Sequence, residues 1–386
     1  MANENVIPQL RFPEFSGNWK PNLLGEIAIF SKGKGISKSE IDKDGEIECI
    51  RYGELYTEYS ETISEVKSRT NVSREELVFS EANDVIIPAS GETQIDIATA
   101  SCILRDGIAL GGDLNIIKSK TNGVFLSYYL NNGKKKDIAQ LAQGISVVHL
   151  YASQLKQLKL ILPKPEEQNK IASFIAKVNN QIQLLEKEKT LLEQYKKGIS
   201  QKIFNQEIRF KDDSGNDFPD WEEKILRDIC HKKSSNISAN TLENNSGIYK
   251  VYGANGLFQT VNFFEENEEY ISIVKDGAGI GRIMLCEAKS SVLGTMDIIK
   301  PNENGDIGFL FSVLLNINFK KYGIGSTIPH IYFKDYCKEK INIPSKPEQQ
   351  KISGFISSIE SYIQKTESQI FKSKDFKKGL FQKMFV

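Results

Sequence analysis

The sequence predicts an α+β protein with two β-rich domains, each followed by a long helix. One observation is an internal repeat: residues 163–204 align with residues 344–385 at a constant offset of 181, and sixteen of the forty-two pairs are identical. Both copies carry apolar residues at helical spacing. The regions before them are rich in short apolar runs bounded by turn residues, which is typical of strands.

The two halves of the chain are similar at their starts and in their long C-terminal segments, but the regions between have diverged. Trp19 corresponds to Trp221 near the start of each half, whereas regions 28–142 and 230–323 share little beyond a motif ending in Ile-Ile-Lys at 112–118 and 294–300. The predicted segments are a first domain with the N-terminal segment at 1–162, a first helix at 163–206, a second domain at 207–343 and a second helix at 344–386. A molecule with two similar halves is suited to two similar targets.

Each repeated segment predicts one long helix. Apolar residues recur every three or four positions, interrupted in the first copy only by Lys189: Ile171, Ile175, Val178, Ile182, Leu185, Leu192, Ile199 and Ile203, against Ile352, Ile356, Ile359, Ile363, Ile370, Leu380 and Met384. Prolines occur only at the entries, where helix starts tolerate them. A helix of about forty residues spans roughly 60 Å and cannot bury its stripe alone. The stripe indicates either a generic coiled coil or oligomer interface, or a pairing of the two copies with each other.

Within the domains, short runs predict strands and two segments predict helices. Strands are expected near 84–88, 103–104, 114–117, 270–274, 282–285 and 296–299, and helices at 125–130 and 307–315. The glycine-rich segment 277–281 lies between two predicted strands, so a tight hairpin turn is favoured over a dinucleotide site. The acidic segment 222–224 is interpreted as an exposed helix start.

Composition narrows the class of protein. The net charge is zero, with 50 basic and 50 acidic residues, so partners are expected to supply part of the charge if a nucleic acid is bound. The five cysteines are isolated and odd in number, which disfavours disulfides and structural zinc. No basic-then-apolar leader and no run of eighteen apolar residues is present, so a soluble, cytoplasmic protein is expected.

The motifs that common enzymes of nucleic-acid metabolism require are missing. The sequence contains no Asn-Pro-Pro-aromatic tetrapeptide to hold a flipped adenine and no Gly-x-x-x-x-Gly-Lys-Ser/Thr phosphate loop. Methyl transfer and ATP hydrolysis are therefore expected elsewhere.

The linked motifs resemble a known family. A diverged region is followed by Gly-Ile-Ser-Val-Val-His-Leu (144–150) or Gly-Ser-Thr-Ile-Pro-His-Ile (325–331), then by a Pro-x-x-x-Glu-Gln-x-Lys-Ile helix entry (163–171 in the first copy) and a Lys-Lys-Gly helix end. This order, over essentially the whole chain, resembles the DNA specificity subunit of Type I restriction-modification systems.

The resemblance implies a non-catalytic subunit that reads a split, asymmetric duplex DNA site with two target-recognition domains. It implies antiparallel packing of the two helices with pseudo-two-fold symmetry, and docking of two adenine-N6 methyltransferase subunits and of ATP-dependent restriction subunits. No cofactor is expected on this chain; S-adenosylmethionine, ATP and Mg are expected on partner subunits. The alternative is a coiled-coil scaffold or adaptor with two β-rich protein-binding domains.

Residues that read DNA should lie in the diverged loops, because positions common to both halves cannot distinguish two half-sites. Basic, amide and hydroxyl side chains reach base edges and phosphates. The candidates are Lys32, Lys34, Arg51, Tyr52, Ser90, Thr93, Gln94 and Ser146 in the first half, and Lys250, Tyr252, Asn255, Lys275, Arg282 and Thr327 in the second. His149 and His330 occupy equivalent places and are interpreted as structural residues, with a DNA contact as the alternative.

Overall fold

The computed structural model describes residues 7–144, 147–243 and 245–385. Within them the chain folds as two compact units. The first unit combines the chain up to Glu186 with the C-terminal segment from Ser368, and the second unit is Lys187–Glu367. The candidate residue Ser146 lies outside the described residues.

The first unit is built mainly from short strands. Its strands are β1 (Lys20–Leu23), β2 (Ala28–Lys32), β3 (Ile47–Ile50), β4 (Thr62–Ile63), β5 (Ser68–Thr70), β6 (Val85–Pro88), β7 (Ser90–Gly91), β8 (Ser101–Ile103), β9 (Ala109–Leu110), β10 (Leu114–Ser119), β11 (Val148–His149) and β12 (Lys159–Leu162). Its helices are α1 (Leu24–Ile27), α2 (Glu54–Thr57), α3 (Gln94–Ile97), α4 (Gly123–Asn132), α5 (Lys135–Leu141), α6 (Ala152–Leu155) and the long α7 (Pro165–Phe204), which continues into the second unit. Two short 3-10 turns lie at Lys38–Glu40 and Arg74–Glu76.

A five-stranded sheet in the order β2-β10-β6-β8-β4 forms the centre of the first unit. A three-stranded sheet, β5-β3-β9, and the pairs β1-β12 and β11-β7 accompany it. Phe125 and Tyr129 of α4 are fully buried in one core with Val85 and Ile117 from the central sheet. Removing such aromatic surface from water is a main source of stability for this unit.

The second unit repeats this plan with fewer strands. Its elements are β13 (Glu222–Ile225), α8 (Leu226–Ile229), β14 (Cys230–Ser234), β15 (Tyr249–Gly253), β16 (Gly256–Val261), β17 (Tyr270–Val274), β18 (Ile283–Cys286), β19 (Ser291–Val292), β20 (Met296–Pro301), α9 (Ile307–Leu315), α10 (Phe333–Tyr336), β21 (Lys340–Ile343) and α11 (Lys346–Met384), with 3-10 turns at Ala239–Leu242 and Phe319–Tyr322. The sheet order is β14-β20-β17-β18, beside β16-β15-β19 and the pair β13-β21.

A repeated buried ion pair joins the start of each domain to the first turn of its long helix. In the first unit, Glu167 is 2% exposed and accepts hydrogen bonds from Arg11 and from the indole of Trp19. In the second unit, Glu348 is fully buried and accepts from Arg209 and from an equivalent indole. The glutamate shared by the two copies therefore binds the segment that precedes each domain to the start of the long helix that follows it.

The glutamine that follows each of these glutamates connects the helix to the domain. Gln168 donates to the carbonyl of Pro163 at 3.0 Å and accepts from the backbone N–H of Asn122 at 3.2 Å. Gln349 donates in the same way to the carbonyl of Pro344 at 2.9 Å. Both residues of the shared Glu-Gln pair thus have a structural explanation.

In the second unit, the end of α7 lies antiparallel to the start of α11. Lys196 pairs with Glu360, and Lys189 pairs with Glu367 at 2.8 Å. Seven residues forward in α7, from 189 to 196, correspond to seven residues back in α11, from 367 to 360. Lys189, the polar gap in the apolar stripe, is thus matched by a carboxylate, and Ile203 at the end of α7 is fully buried.

In the first unit, the end of α11 lies against the start of α7 and against the domain. Lys374 pairs with Glu186 at 2.6 Å. Met384 and Phe385 are part of the buried core of the first domain. The predicted fold class, two β-rich domains each followed by a long helix that packs with its counterpart, is confirmed.

Two local predictions from the sequence had opposite outcomes. The segment 277–281 connects the antiparallel strands β17 and β18, as the hairpin prediction required. The interpretation of residues 222–224 as a helix start was wrong, because they form β13, which pairs with β21 next to the long helix. Their charged side chains face solvent, where Glu223 pairs with Lys340 at 2.7 Å.

Candidate nucleic-acid interface

Both domains have the same backbone frame at one end of the central sheet. The strand that carries the shared Ile-Ile-Lys motif pairs on both sides, β10 with β2 and β6, and β20 with β14 and β17. A returning segment closes this end, where the N–H of Leu150 donates to Ala89 at 3.0 Å and that of Ile331 donates to Lys275 at 2.9 Å. We call this end of each domain the sheet-end surface.

The strand registers make positions of the two sheet-end surfaces equivalent. The pairs are Lys32 with Ser234, Ala89 with Lys275, Ser90 with Asp276, Asn115 with Asp297, and His149 with His330. The backbone positions agree while the side chains at four of the five pairs differ in chemical type. The same frame therefore presents different donors, acceptors and charges in the two domains.

Three predicted basic residues of the first domain meet around one turn. The N–H of Lys34 donates to the carbonyl of Leu110 at 2.9 Å. The N–H of Gly111 donates at 2.9 Å to the carbonyl of Ile50, the residue before Arg51. Lys32 ends β2, opposite the start of β10. The structure thus brings Lys32, Lys34 and Arg51 to the same region of the sheet-end surface.

Arg51 is half-buried with an unused side chain. Its backbone N–H donates to the carboxylate of Glu54 at 2.7 Å, and the other oxygen of that buried carboxylate accepts from Ser68. The Nε of Arg51 is buried and has no hydrogen-bond partner within the described residues. A buried donor without a partner is unfavourable, which is a physical reason for Arg51 to bind an acceptor. The neighbouring Tyr52 packs partly against the core.

Ser90 lies in the short β7 strand, opposite His149 of β11. Its side chain is only 6% exposed, so the structure makes Ser90 a poorer candidate for direct contact than the sequence indicated. His149 itself is exposed and stacks loosely on Tyr151, with ring centroids 6.2 Å apart.

Thr93 and Gln94 lie at the exposed start of α3. Thr93 is the N-cap: its hydroxyl accepts from the N–H of Asp96 at 3.1 Å and bonds the Asp96 carboxylate at 2.6 Å. Gln94 is exposed and makes one long contact, 3.5 Å, to the carbonyl of Ala142. Because Thr93 already serves the helix start, Gln94 is the more available of the two.

In the second domain, Arg282 connects two predicted residues. Its Nη1 donates to the carbonyl of Ala254 at 2.7 Å and to Oδ1 of Asn255 at 2.8 Å, so the β15–β16 turn is tied to the β17–β18 hairpin. Gly277 and Gly281 in that hairpin have φ of +87° and +77°, a conformation that favours glycine. Arg282 and Asn255 are exposed side by side.

Lys250 and Tyr252 lie on β15 beside this turn. The ammonium of Lys250 is hydrogen-bonded to Glu287, and this bond raises the pKa of the lysine. Tyr252 packs against the core, and burial raises the pKa of its hydroxyl. Both residues are thus partly engaged within the domain.

Lys275 and His330 are also paired with acids. The Nζ of Lys275 lies 3.2 Å from Oδ1 of Asp297, and Nδ1 of His330 lies 2.6 Å from Oδ1 of Asp276. Thr327 is exposed in the loop before His330. The pairing of His330 with Asp276 agrees with a structural role for the histidine, but whether it contacts DNA stays a prediction.

The comparisons with known proteins give one consistent result. A family model for the Type I restriction modification DNA specificity domain matches residues 16–194 and 219–372. The chain belongs to this family. It is thus a specificity subunit with two target-recognition domains, and as such is not itself an enzyme.

Two curated relatives from Methanocaldococcus jannaschii support this assignment. The Type I restriction enzyme MjaVIII specificity subunit is 25% identical over 406 residues, covering 95% of this chain and 91% of that protein. The putative Type I restriction enzyme MjaX specificity subunit is 27% identical over 283 residues, covering 67% and 66% of the two chains.

Solved structures show the same fold. The S subunit of a Type I restriction-modification system from M. genitalium gives a TM-score of 0.70 at 16% identity, covering 99% of each chain. A chain from a structure that describes complex assembly and conformational transition of the Type I system gives 0.50 at 14% identity, covering 95% of this chain and 97% of that one.

The family assignment removes the main alternative. A scaffold with protein-binding domains was left open by the sequence, but the matched model spans both halves of the chain and describes DNA specificity. No helix in the described part of the specificity subunit is long and apolar enough to cross a membrane. Its five cysteines are all buried and unpaired in disulfides.

The candidate basic residues of the specificity subunit differ in one respect between the domains. Within the described residues, the side chains of Lys32, Lys34 and Arg51 have no ion-pair or hydrogen-bond partner, whereas each candidate cation of the second domain has one. The second-domain cations are Lys250, Lys275 and Arg282. The first sheet-end surface therefore carries the more available positive charge.

Sequence reasoning missed the acidic partners in the second domain. Asp297 and Asp276 hold Lys275 and His330, and neither was a candidate. A signal was present, because the shared motif has Asn115 in one copy and Asp297 in the other. A change from amide to carboxylate in an otherwise similar motif indicates a cation nearby.

Proposed function

We propose that this specificity subunit reads a bipartite, asymmetric duplex DNA site, with one half-site on each sheet-end surface. The observation that carries the proposal is the repeated backbone frame with unlike side chains, such as Asn115 against Asp297 and Ser90 against Asp276. Bases are distinguished by the pattern of donors and acceptors that a protein presents to them. One frame carrying two patterns is suited to two different half-sites.

The contact residues we propose are those of the two sheet-end surfaces and their flanking turns. They are Lys32, Lys34, Arg51, Tyr52, Ser90, Thr93, Gln94, Ser146, Lys250, Tyr252, Asn255, Lys275, Arg282 and Thr327. Arg51, Gln94 and Asn255 have the side-chain types that read base edges, and exposed lysines more often contact phosphates. Arg51 is a stronger candidate for DNA contact than Ser90, because Arg51 has an unpaired buried donor whereas Ser90 is buried.

We further propose that two adenine-N6 methyltransferase subunits dock on the helical regions and that ATP-dependent restriction subunits join them, in the cytoplasm. Several large apolar side chains are exposed on the long helices: Leu184, Leu191, Tyr195, Tyr362, Phe371 and Phe376. Four of the six are aromatic, and aromatic side chains are enriched at protein–protein interfaces, which supports docking on these helices. In this proposal S-adenosylmethionine, ATP and Mg bind to those partner subunits. For this chain we propose a first recognition domain at 1–162, a first helix at 163–206, a second recognition domain at 207–343 and a second helix at 344–386.

Adenine-methylation mapping tests the proposal. Cells that express this chain with its methyltransferase should contain a split methylated motif that disappears when this chain is deleted. Replacing residues 28–142 by the corresponding region of another specificity subunit should change one half of the motif and keep the other half.

The matched control is the replacement of residues 230–323, which should change the opposite half. Loss of both halves in either chimaera together with a folded, soluble complex would contradict independent reading by the two domains. A continuous motif in the wild type would contradict a bipartite site.

A further inference from the structure

A carboxylate lies buried behind the sheet-end surface of the second domain. Asp297 is 4% exposed and its Oδ1 accepts a hydrogen bond from the hydroxyl of Ser234 at 2.8 Å. The ammonium groups of Lys275 and Lys232 lie 3.2 Å and 3.8 Å from the same oxygen. Burying a carboxylate is costly unless it is paired and hydrogen-bonded, so these four side chains act as one unit.

The first domain has a different pair at the same two positions. Asn115 replaces Asp297, and Ala89 replaces Lys275. The amide of Asn115 donates to the carbonyl of Leu150 at 2.9 Å and thereby holds the returning segment directly. The carboxylate and the lysine are thus present together in one domain and absent together in the other.

This paired exchange indicates that Asp297 is present because of Lys275. The amide of Asn115 donates a hydrogen bond to the returning segment of the first domain. An ionised carboxylate has no hydrogen to donate, so Asp297 cannot make the equivalent bond in the second domain. What Asp297 does instead is to hold the end of a long, flexible side chain at one place. Lys275 is 23% exposed while bound to it, so the ammonium stays at the protein surface.

We propose that Asp297 is a positioning residue for sequence discrimination, which fixes Lys275 so that it reads one base pair of the second half-site. The proposal rests on the proposed function of this surface. An ammonium has three donors, and the bond to Asp297 leaves two for acceptors on DNA. A lysine held in place can donate to the acceptor edge of guanine, whereas an unrestrained lysine contacts phosphates irrespective of sequence.

The same domain contains a matched control. Glu266 is also 4% exposed and pairs with Lys233 at 2.6 Å and Lys300 at 2.5 Å. Lys233 and Ser234 are consecutive in β14, so their side chains point to opposite faces of the sheet. Glu266→Gln therefore removes a similar buried carboxylate on the face away from Lys275.

The experiment uses the full chain in complex with its methyltransferase subunits. Methylation mapping of the wild type supplies the recognised duplex, and the exchange of residues 28–142 shows which half belongs to the second domain. Equilibrium binding is then measured with this duplex, with duplexes changed at single base pairs in either half, and with a scrambled duplex. The variants are Asp297→Asn, Lys275→Met and Glu266→Gln.

Asp297→Asn and Lys275→Met should each reduce discrimination at one base pair of the second half-site by about tenfold. Discrimination in the first half-site should stay unchanged. Asp297→Asn should also bind the scrambled duplex more tightly, because it removes a negative charge and releases two lysines. Glu266→Gln should leave all these ratios at the wild-type values.

Unchanged discrimination in Lys275→Met would overturn the proposal even if Asp297→Asn failed to fold. Equal losses at both half-sites in Asp297→Asn would also overturn it, because they would indicate a general structural role. These results differ from a failure of the proposed function, in which the wild-type complex itself would not distinguish the mapped duplex from the scrambled one.

Discussion

The guanidinium of Arg11 binds the carboxylate of Glu167 through two hydrogen bonds of 2.7 Å, from Nε to Oε1 and from Nη2 to Oε2. Glu167 is 2% exposed and lies in the first turn of α7. The indole of Trp19 donates to it at 3.3 Å. This arrangement fixes the N-terminal segment to the helix that follows the first domain.

Arg11→Met should destabilise the first unit by about 3–5 kcal/mol, because it leaves the charge of Glu167 buried without its partner. Hydrogen exchange measured by mass spectrometry should show faster exchange in the first domain and little change in the second. Lys170→Met removes an exposed pair with Glu14 in the same unit and should change stability little, because solvent screens exposed ion pairs. Equal effects of the two substitutions would show that burial of Glu167 does not matter.

Phe385→Ala should loosen the first domain although residue 385 follows the second domain in the sequence. The ring is 8% exposed and lies 5.8 Å from Phe125 and 5.7 Å from Tyr129 between centroids. Removing a buried phenyl ring costs about 3–5 kcal/mol. The measurement is hydrogen exchange in α4, and the control is Phe371→Ala, because Phe371 is 74% exposed on α11, the helix that ends directly before Phe385. Protection of α4 that stays at the wild-type level in Phe385→Ala would refute this prediction.

The helices and several turns could be predicted because their signals are local. The apolar stripe and the proline entries gave helices that the structure places at Pro165–Phe204 and Lys346–Met384. The segment 307–315 is helical over its whole predicted length. Residues 222–224 were wrongly predicted as a helix start, because they form a strand only by pairing with β21, more than a hundred residues later.

The candidate interface could be predicted only in part, because side-chain partners depend on strand register. Exposed residues such as Lys32 and Arg282 were found from type and position. The partners of Lys275 and His330 lie 22 and 54 residues away in the sequence, and no local pattern specifies which carboxylate each one meets. Ser90 was a candidate by type, yet the returning strand covers it.

The salt dependence of DNA binding should come mainly from the first domain. Lys32→Gln and Lys34→Gln should each lower the slope of log K against log salt concentration by about 0.9, the value for one phosphate contact on duplex DNA. Lys250→Gln should lower it less, because Glu287 already neutralises Lys250. The slopes are measured on the assembled complex between about 50 and 200 mM KCl, the range in which such slopes are usually resolved. A larger change for Lys250→Gln than for Lys32→Gln would contradict the contrast between the domains.

The stability of the second unit should fall in acid through Glu266. Burial favours a higher pKa for this carboxyl, but hydrogen bonds from Lys233 and Lys300 outweigh it, so the pKa lies below the ordinary value. A lowered folded-state pKa stabilises the protein above the unfolded-state pKa, about 4.3 for glutamate, and that contribution is lost as pH falls through the folded-state value.

Glu266→Gln should therefore be less stable than the wild type at pH 7, by about 2 kcal/mol, the cost of losing charge-assisted hydrogen bonds. The difference should shrink as pH falls below the unfolded-state pKa of about 4.3 and through the lower folded-state pKa of the wild-type carboxyl. Urea unfolding of the second unit, followed by hydrogen exchange at several pH values, measures both stabilities. Glu287→Gln removes an exposed partner of Lys250 and should change stability little at any pH, since solvent screens exposed ion pairs. A difference between Glu266→Gln and the wild type that stays constant from pH 7 into the acid range would show that the charge of Glu266 does not stabilise the fold.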